Sequence, residues 1–171
     1  MLILTDENKG EFTDKLKQAL NLRFGNELPE NYGYLYPWSL LSLIRDDAID
    51  TYQLLYVNDK FWTGAGGIVR EFNNEKVYQA GFRVFSYSDP RHKGLGVKPY
   101  NHKYCTTYQI ERAKLNGCSK LILSFNDYNY QLFQVNIKYL LPKAFPDYKF
   151  VASSKPILFN GVEQWLLTLN L

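Results

Sequence analysis

The residue types best suited to chemistry lie in one stretch, Arg91-His92-Lys93-Gly94-Leu95-Gly96. Gly94 and Gly96 let the backbone turn sharply and approach a ligand closely. The stretch runs from an extended segment into a helix. The first N–H groups of a helix lack intrahelical partners and form the positive end of its dipole. Main-chain donors placed this way cradle a phosphate or diphosphate. Arg91, Lys93 and Lys98 set full positive charges beside them. From Arg83 to Lys120 there are eight Lys or Arg against two Asp or Glu, whereas the rest of the chain is net acidic. That distribution suits an anionic ligand, although a solvated helix face would give the same charge count. The stretch is not a P-loop, because no Gly-Lys-Ser/Thr ends it. It is not the dinucleotide fingerprint either, because the third glycine is absent.

The elements that must position this loop follow from periodicity. Asn8–Phe24 repeats apolar residues at helical spacing (Phe12, Leu16, Ala19, Leu20, Phe24), and Gly25 is a natural stop. Leu28–Trp38 reads as a loop and Ser39–Asp46 as a short helix. The pattern then changes to three strands, Thr51–Val57, Phe61–Glu71 and Lys76–Tyr87, joined by short Asn-rich turns that imply an antiparallel meander. The polar loop Ser88–Lys98 leads into a helix over Pro99–Asn116, for which Tyr100, Tyr104, Tyr108 and Leu115 are the expected buried stripe and Gly117 the terminator. Ser119–Phe125 reads as a strand, and Tyr128–Leu141 as a helix stopped by Pro142. Tyr148–Ser153 and Ile157–Phe159 are extended. Asn160-Gly161 is the strongest hairpin signal, followed by a last strand over Val162–Leu169. The fold class is α/β (α+β) with a mixed sheet, expected as one domain over residues 1–171.

Arg-x-x-Gly-x-Gly after the third strand of a meander resembles the coenzyme A diphosphate loop of the GNAT superfamily of N-acetyltransferases. Ala113-Lys114-Leu115-Asn116-Gly117 resembles the end of that family's central helix, Leu121-Ile122-Leu123 its fifth strand, and Asn129 the asparagine that opens its next helix. The element order matches from about Thr51 to Leu171, and the two N-terminal helices fit by order. The resemblance implies a mostly antiparallel mixed sheet flanked by helices, with a splayed fourth/fifth strand pair. It implies acetyl-coenzyme A as cosubstrate, held by Val84, Phe85 and Ser86 along the pantetheine and by Arg91, His92, Lys93, Gly94, Leu95, Gly96 and Val97 at the diphosphate, with Asn129 reaching the pantetheine arm. It implies direct attack of an amine on the thioester. Tyr34, Tyr36 and Trp38, in the loop between the first helices, fall where the family lines its acceptor pocket; aromatics also anchor loops onto cores.

The chain departs from the family pattern where the chemistry is done. The residue that often protonates the leaving thiolate is a tyrosine, and here Asn136 stands in its place. Tyr139 lies about one turn on and is the candidate substitute. Ser124 replaces the glutamate base that the fifth strand often carries, and Asp127 could serve only through water. Pro99 falls in the first turn of the central helix and favours a start at Pro99, with a longer loop before it. The Gly96-to-Gly117 spacing lengthens that helix by roughly a turn and a half. These departures leave a second reading open, a GNAT-fold module that binds coenzyme A or serves recognition with weak or no catalysis.

Other classes fit less well. Of the two histidines, His102 reads as solvated or core-edge, while His92 suits a phosphate contact or simple exposure equally. Arg83 could meet an acidic acceptor, though an ion pair with Glu71 or Glu75 across the hairpin is the simpler expectation. Two cysteines, Cys105 and Cys118, give neither a disulfide framework nor, with the two histidines, a common zinc pattern, so no metal is expected. There is no apolar run of membrane-spanning length and no leader-like start, so a cytoplasmic protein without membrane contact is expected. A net charge of +3 and an element order unlike any RNA-binding module argue against nucleic acid. The expected partner is an amine acceptor, with the protein a monomer or homodimer.

Overall fold

Asn73 and Asn74 turn the longest hairpin, both at positive φ (51° and 60°), which asparagine tolerates better than most residues. Phe72 and Glu75 pair directly across them, so the turn has two residues. Asn160 and Gly161 repeat the arrangement in the last hairpin (φ 52° and 76°). The structure is a computed structural model that describes residues 2–3, 5, 7–24, 50, 52–57, 60–85 and 97–171. The second helix expected at Ser39–Asp46 and the loop Leu28–Trp38 lie outside these residues.

In chain order the elements are β1 (Leu2–Ile3), α1 (Lys9–Phe24), β2 (Gln53–Val57), β3 (Lys60–Phe72), β4 (Glu75–Phe85), α2 (Val97–Leu115) and β5 (Lys120–Phe125). A 3₁₀ turn (Asp127–Asn129), α3 (Tyr130–Val135), a π-helical turn (Asn136–Leu140) and α4 (Leu141–Ala144) follow. The chain closes with β6 (Phe150–Ala152), β7 (Ile157–Phe159) and β8 (Val162–Asn170). The sheet runs β1-β2-β3-β4-β5-β8-β6, with β7 also paired to β8. Every pair is antiparallel except β4–β5, which is parallel, with α2 in the connection between its strands. This is the mixed, mostly antiparallel sheet flanked by helices that the sequence implied. β1, two residues long, was not anticipated.

Each face of the sheet has its own core. Tyr78, Ala80, Leu121, Leu123, Leu167 and Leu169 face α2, α3 and α4 and pack against Ile110, Ala113, Phe133 and Leu141. Val77, Ile122, Leu166 and Phe159 cluster on the other face. The α1 helix lies on that second face, where Phe12 meets the Tyr52 ring edge-on at 5.9 Å between centroids.

Three local expectations are corrected. First, α2 begins at Val97, not Pro99; Pro99 falls in the first turn, where a missing N–H costs no helical bond. Second, Leu115 is 75% exposed, and Tyr104 and Tyr108 are only half-buried. The buried seam of α2 is Cys105, Thr106, Gln109, Ile110 and Ala113, because small and polar residues let the helix approach the glycine-rich β3. Gln109 Nε2 donates to the Gly66 carbonyl at 2.5 Å, a contact that needs that approach. Third, Pro142 does not end the helical stretch, which continues to Ala144. The π turn precedes it, where the Leu141 N–H bonds back to the Asn136 carbonyl, so the ladder changes register just before the residue that cannot donate. No described helix is long and apolar enough to cross a membrane.

Candidate functional site

The sheet opens at one place. β4 and β5 pair from Val77–Lys120 to Ala80–Leu123 and no further. β4 continues to Phe85 along β3, and β5 continues to Phe125 along β8, where Ser124 opposes Leu166 and Phe125 opposes Trp165. From Gly81 to Phe85, β4 therefore has no strand partner among the described residues on the β5 side. A bulge drives the separation. Gly66 opposes Gly81 and Gly64 opposes Val84, so β4 spends three residue steps against two on β3. The extra residue bends and twists the strand away from its parallel neighbour. The fourth/fifth strand splay expected from the sequence is present, with its closed end at Ala80 and Leu123.

The candidate residues distribute around this gap unevenly. Val84 and Phe85 form the end of β4 beyond the bulge, opposite Gly64 and Thr63. Val97 opens α2. Asn129 ends the 3₁₀ turn and caps α3; its N–H bonds to the Asn126 side chain at 2.9 Å, and its own side chain makes no cap bond. Ser86, Arg91, His92, Lys93, Gly94, Leu95 and Gly96 lie outside the described residues, as do Tyr34, Tyr36 and Trp38. Asn136 and Tyr139 share a helical stretch and differ in surroundings. Asn136 is 2% exposed and donates from Nδ2 to the Leu132 carbonyl at 2.8 Å; Tyr139 is 66% exposed. The Asp127 carboxylate accepts from Trp165 Nε1 at 3.0 Å. Both cysteines are buried and neither is in a disulfide, and burial pushes the Cys118 thiol up, away from reactivity.

The closed end of the gap is fastened by a polar hub. Arg112 on α2 grips Asp50 with two donors, Nε to Oδ2 and Nη2 to Oδ1, both at 2.8 Å. Tyr78 on β4 donates to the same carboxylate at 3.3 Å, and the Asp50 N–H donates to the Gly67 carbonyl at 2.9 Å. One residue thus ties the segment before β2 to β4 and α2 through its side chain and to β3 through its backbone N–H. Burial opposes the charge on Asp50, but hydrogen bonds from Arg112, Asn116 and Tyr78 and the charge of Arg112 outweigh it, so the carboxyl sits below its usual range. Burial above all, with the Asp50 charge, pushes the Tyr108 hydroxyl up to about 12. At the foot of the sheet, Lys120 pairs with Glu75.

Sequence reasoning missed Arg70 and Gln79. Gln79 is 8% exposed in the middle of β4; its Oε1 accepts from Arg70 Nε at 2.5 Å and its Nε2 reaches Ser124 Oγ at 3.5 Å. A glutamine inside the otherwise apolar run Val77–Ala80 was the available signal, since a buried amide needs partners.

The architecture as a whole is similar to that of known structures. FeeM, an N-acyl amino acid synthase from uncultured soil microbes, superposes with a TM-score of 0.60 at 11% identity, covering 99% of this chain and 87% of that one. An aminoglycoside 6′-acetyltransferase type Ii gives 0.58 at 15% identity, over 99% and 97% of the two chains. The aminoglycoside 6′-N-acetyltransferase from Enterococcus faecium gives 0.54 at 15% identity, over 99% and 95%. The fold is that of the GNAT superfamily. No family model and no curated protein matches the sequence, so the GNAT likeness is one of architecture. The gap beyond Ala80 and Leu123 lies at the fourth/fifth strand splay that the sequence resemblance implied.

Proposed function

We propose that this chain is a GNAT-type N-acetyltransferase that moves an acetyl group from acetyl-coenzyme A to an amine by direct attack. The observation that carries the reading is the combination of the β4 bulge with the loss of β4–β5 pairing beyond Ala80 and Leu123. An extended pantetheine arm fits such an edge as an added strand would, taking main-chain bonds from Val84, Phe85 and Ser86. Asn129, at the start of α3 with its side chain making no cap bond, is the proposed side-chain contact to the same arm. The diphosphate goes to the amides of residues 92–97, flanked by Arg91 and Lys93. The cosubstrate supplies an activated acyl group; the protein positions it, excludes water and stabilises charge.

Of the two candidates for the leaving-group proton, Tyr139 has the chemistry, because an amide is not an ordinary general acid. Leu132, Val135 and Tyr139 form an exposed stripe at helical spacing, a face open to a ligand. The buried, bonded position of Asn136 favours the alternative reading, a module that binds coenzyme A with little turnover. The acceptor is an amine, and Tyr34, Tyr36 and Trp38 are its proposed contacts.

Calorimetric titration with acetyl-coenzyme A, followed by thiol release over a panel of amines, tests the proposal. Binding with turnover is the expected result. Binding without turnover on any amine favours the module that keeps coenzyme A, and no binding removes the acyltransferase and leaves only a recognition module. Gly96→Glu, which adds bulk and a like charge at the diphosphate, is expected to abolish binding while unfolding stays cooperative.

A further inference from the structure

On the α1 face of the sheet, three polar side chains form a line that ends at the mouth of the gap. Arg70 opposes Val77, Gln79 opposes Ile68 and Ile122, and Ser124 opposes Leu166. Val77, Ile122 and Leu166 belong to one core cluster, so all three polar residues lie on that face. Ser124 is the first β5 residue beyond the last β4–β5 pair. Arg70 Nε donates to Gln79 Oε1 at 2.5 Å, and Gln79 Nε2 donates to Ser124 Oγ at 3.5 Å.

The direction of this line is fixed by chemistry. An arginine side chain offers only donors, so Gln79 must present its carbonyl to Arg70 and its amide to Ser124. Ser124 is then an acceptor within the line, and its own proton remains to be given to a third group. Arg70 pairs with no carboxylate among the described residues, and its Nε donates to Gln79, so a cation stands at the head of the line. A chain of hydrogen bonds fed by a cation polarises each member. The hydroxyl at its far end is a strengthened donor and a poor base.

We infer that Ser124 donates a hydrogen bond to the negative charge that develops on the thioester oxygen during acyl transfer, with Arg70 and Gln79 as positioning residues. The inference rests on the acyltransferase reading above. In the step, the amine nitrogen forms the new C–N bond, the C–S bond breaks with its electron pair leaving on sulfur, and the amine proton goes to water. Ser124 lends its hydrogen bond and keeps its proton. The position where the resembling family often carries a carboxylate base thus has the opposite sense here, and the amine must arrive unprotonated. The 3.5 Å link is long, as hydrogen bonds of a free site often are before substrate tightens them.

The test uses acetyl-coenzyme A with hydroxylamine as a small nucleophile, reading thiol release alongside the acetyl-coenzyme A Kd. The wild type is expected to accelerate the reaction. Ser124→Ala is expected to slow it about 100-fold at unchanged Kd, the loss typical of one missing oxyanion donor. Ser124→Thr should restore most of the rate. Gln79→Met should slow the wild type several-fold but leave Ser124→Ala unaffected, because the amide acts only through the hydroxyl. A Ser124→Ala protein with the wild-type rate overturns the inference, as does a Gln79→Met effect of equal size in both backgrounds. A wild type that binds acetyl-coenzyme A without accelerating hydroxylamine also overturns it while leaving the cosubstrate site standing. A wild type that binds no acetyl-coenzyme A removes the acyltransferase reading and the inference together.

Discussion

Tyr139 and Asn136 lie about one helical turn apart, yet their surroundings assign them different work. Asn136 spends its amide on the Leu132 carbonyl inside the helical stretch, while the Tyr139 ring stands in solvent. If Tyr139 protonates the departing thiolate, Tyr139→Phe lowers kcat by about two orders of magnitude at unchanged acetyl-coenzyme A affinity, within the range for general acid catalysis. Steady-state kinetics on the best amine acceptor checks this, and an unaltered kcat dismisses the tyrosine. Asn136→Ala is expected instead to cost stability of about 1 kcal/mol, the net worth of a buried hydrogen bond. A second residue-scale prediction concerns Gly67. A Cβ there would stand 2.7 Å from the Gln79 carbonyl and inside the contact distance of the Tyr78 ring, and neither neighbour is a flexible chain end. Gly67→Ala should therefore destabilise by about 1–3 kcal/mol in chemical denaturation, through overpacking rather than loss of a contact.

At the scale of elements, the Asp50 hub is the device that joins α2 to the sheet. Removing one partner of a half-buried, doubly bonded ion pair strands the other charge, so Arg112→Met should cost about 1–3 kcal/mol of unfolding free energy. The hub also sets a pH dependence. The Asp50 carboxyl is held below its unfolded value, so its contribution is complete above the ordinary carboxylate range and is lost as pH falls through that range toward the folded-state value. Asp50→Asn should flatten this part of the acid limb in a thermal-melt series from pH 7 to pH 3, and an acid limb identical to the wild type would refute the assignment. The hub was not visible in the sequence, because it depends on partners distant along the chain, Asp50 with Arg112; the parting of β4 from β5 was implied only by the family resemblance, because the register of Gly64 with Val84 has no local signal. The hairpins were legible because Asn-Asn and Asn-Gly carry their own backbone preference. The stripe of α2 was misread because large tyrosines looked like core, whereas the helix sits close over glycines and buries Cys105, Thr106 and Gln109 instead. Pro142 was misread because a π turn, which has no sequence period of its own, shifts the ladder before it.

Across the whole molecule, the two ends of the β4–β5 pair have opposite characters. One end is fastened by Arg112, Asp50 and Tyr78 and by Lys120 with Glu75; the other is held open by a bulge. Strands tied at one end and parted at the other leave the β4 edge open to an extended ligand. Acetyl-coenzyme A should therefore stabilise the folded state by mass action, by about 2.7 kcal/mol at a hundred times its Kd, seen as a concentration-dependent rise in Tm. Coenzyme A should act in the same direction, and a free amine without either should not. The most direct measurement is a crystal structure grown with acetyl-coenzyme A. It should show the pantetheine arm between β4 and β5 beyond Ala80 and Leu123, main-chain bonded to Val84 and Phe85, with the diphosphate on the amides that precede α2. A gap that closes into continuous β4–β5 pairing, or a ligand bound anywhere else, would contradict the account.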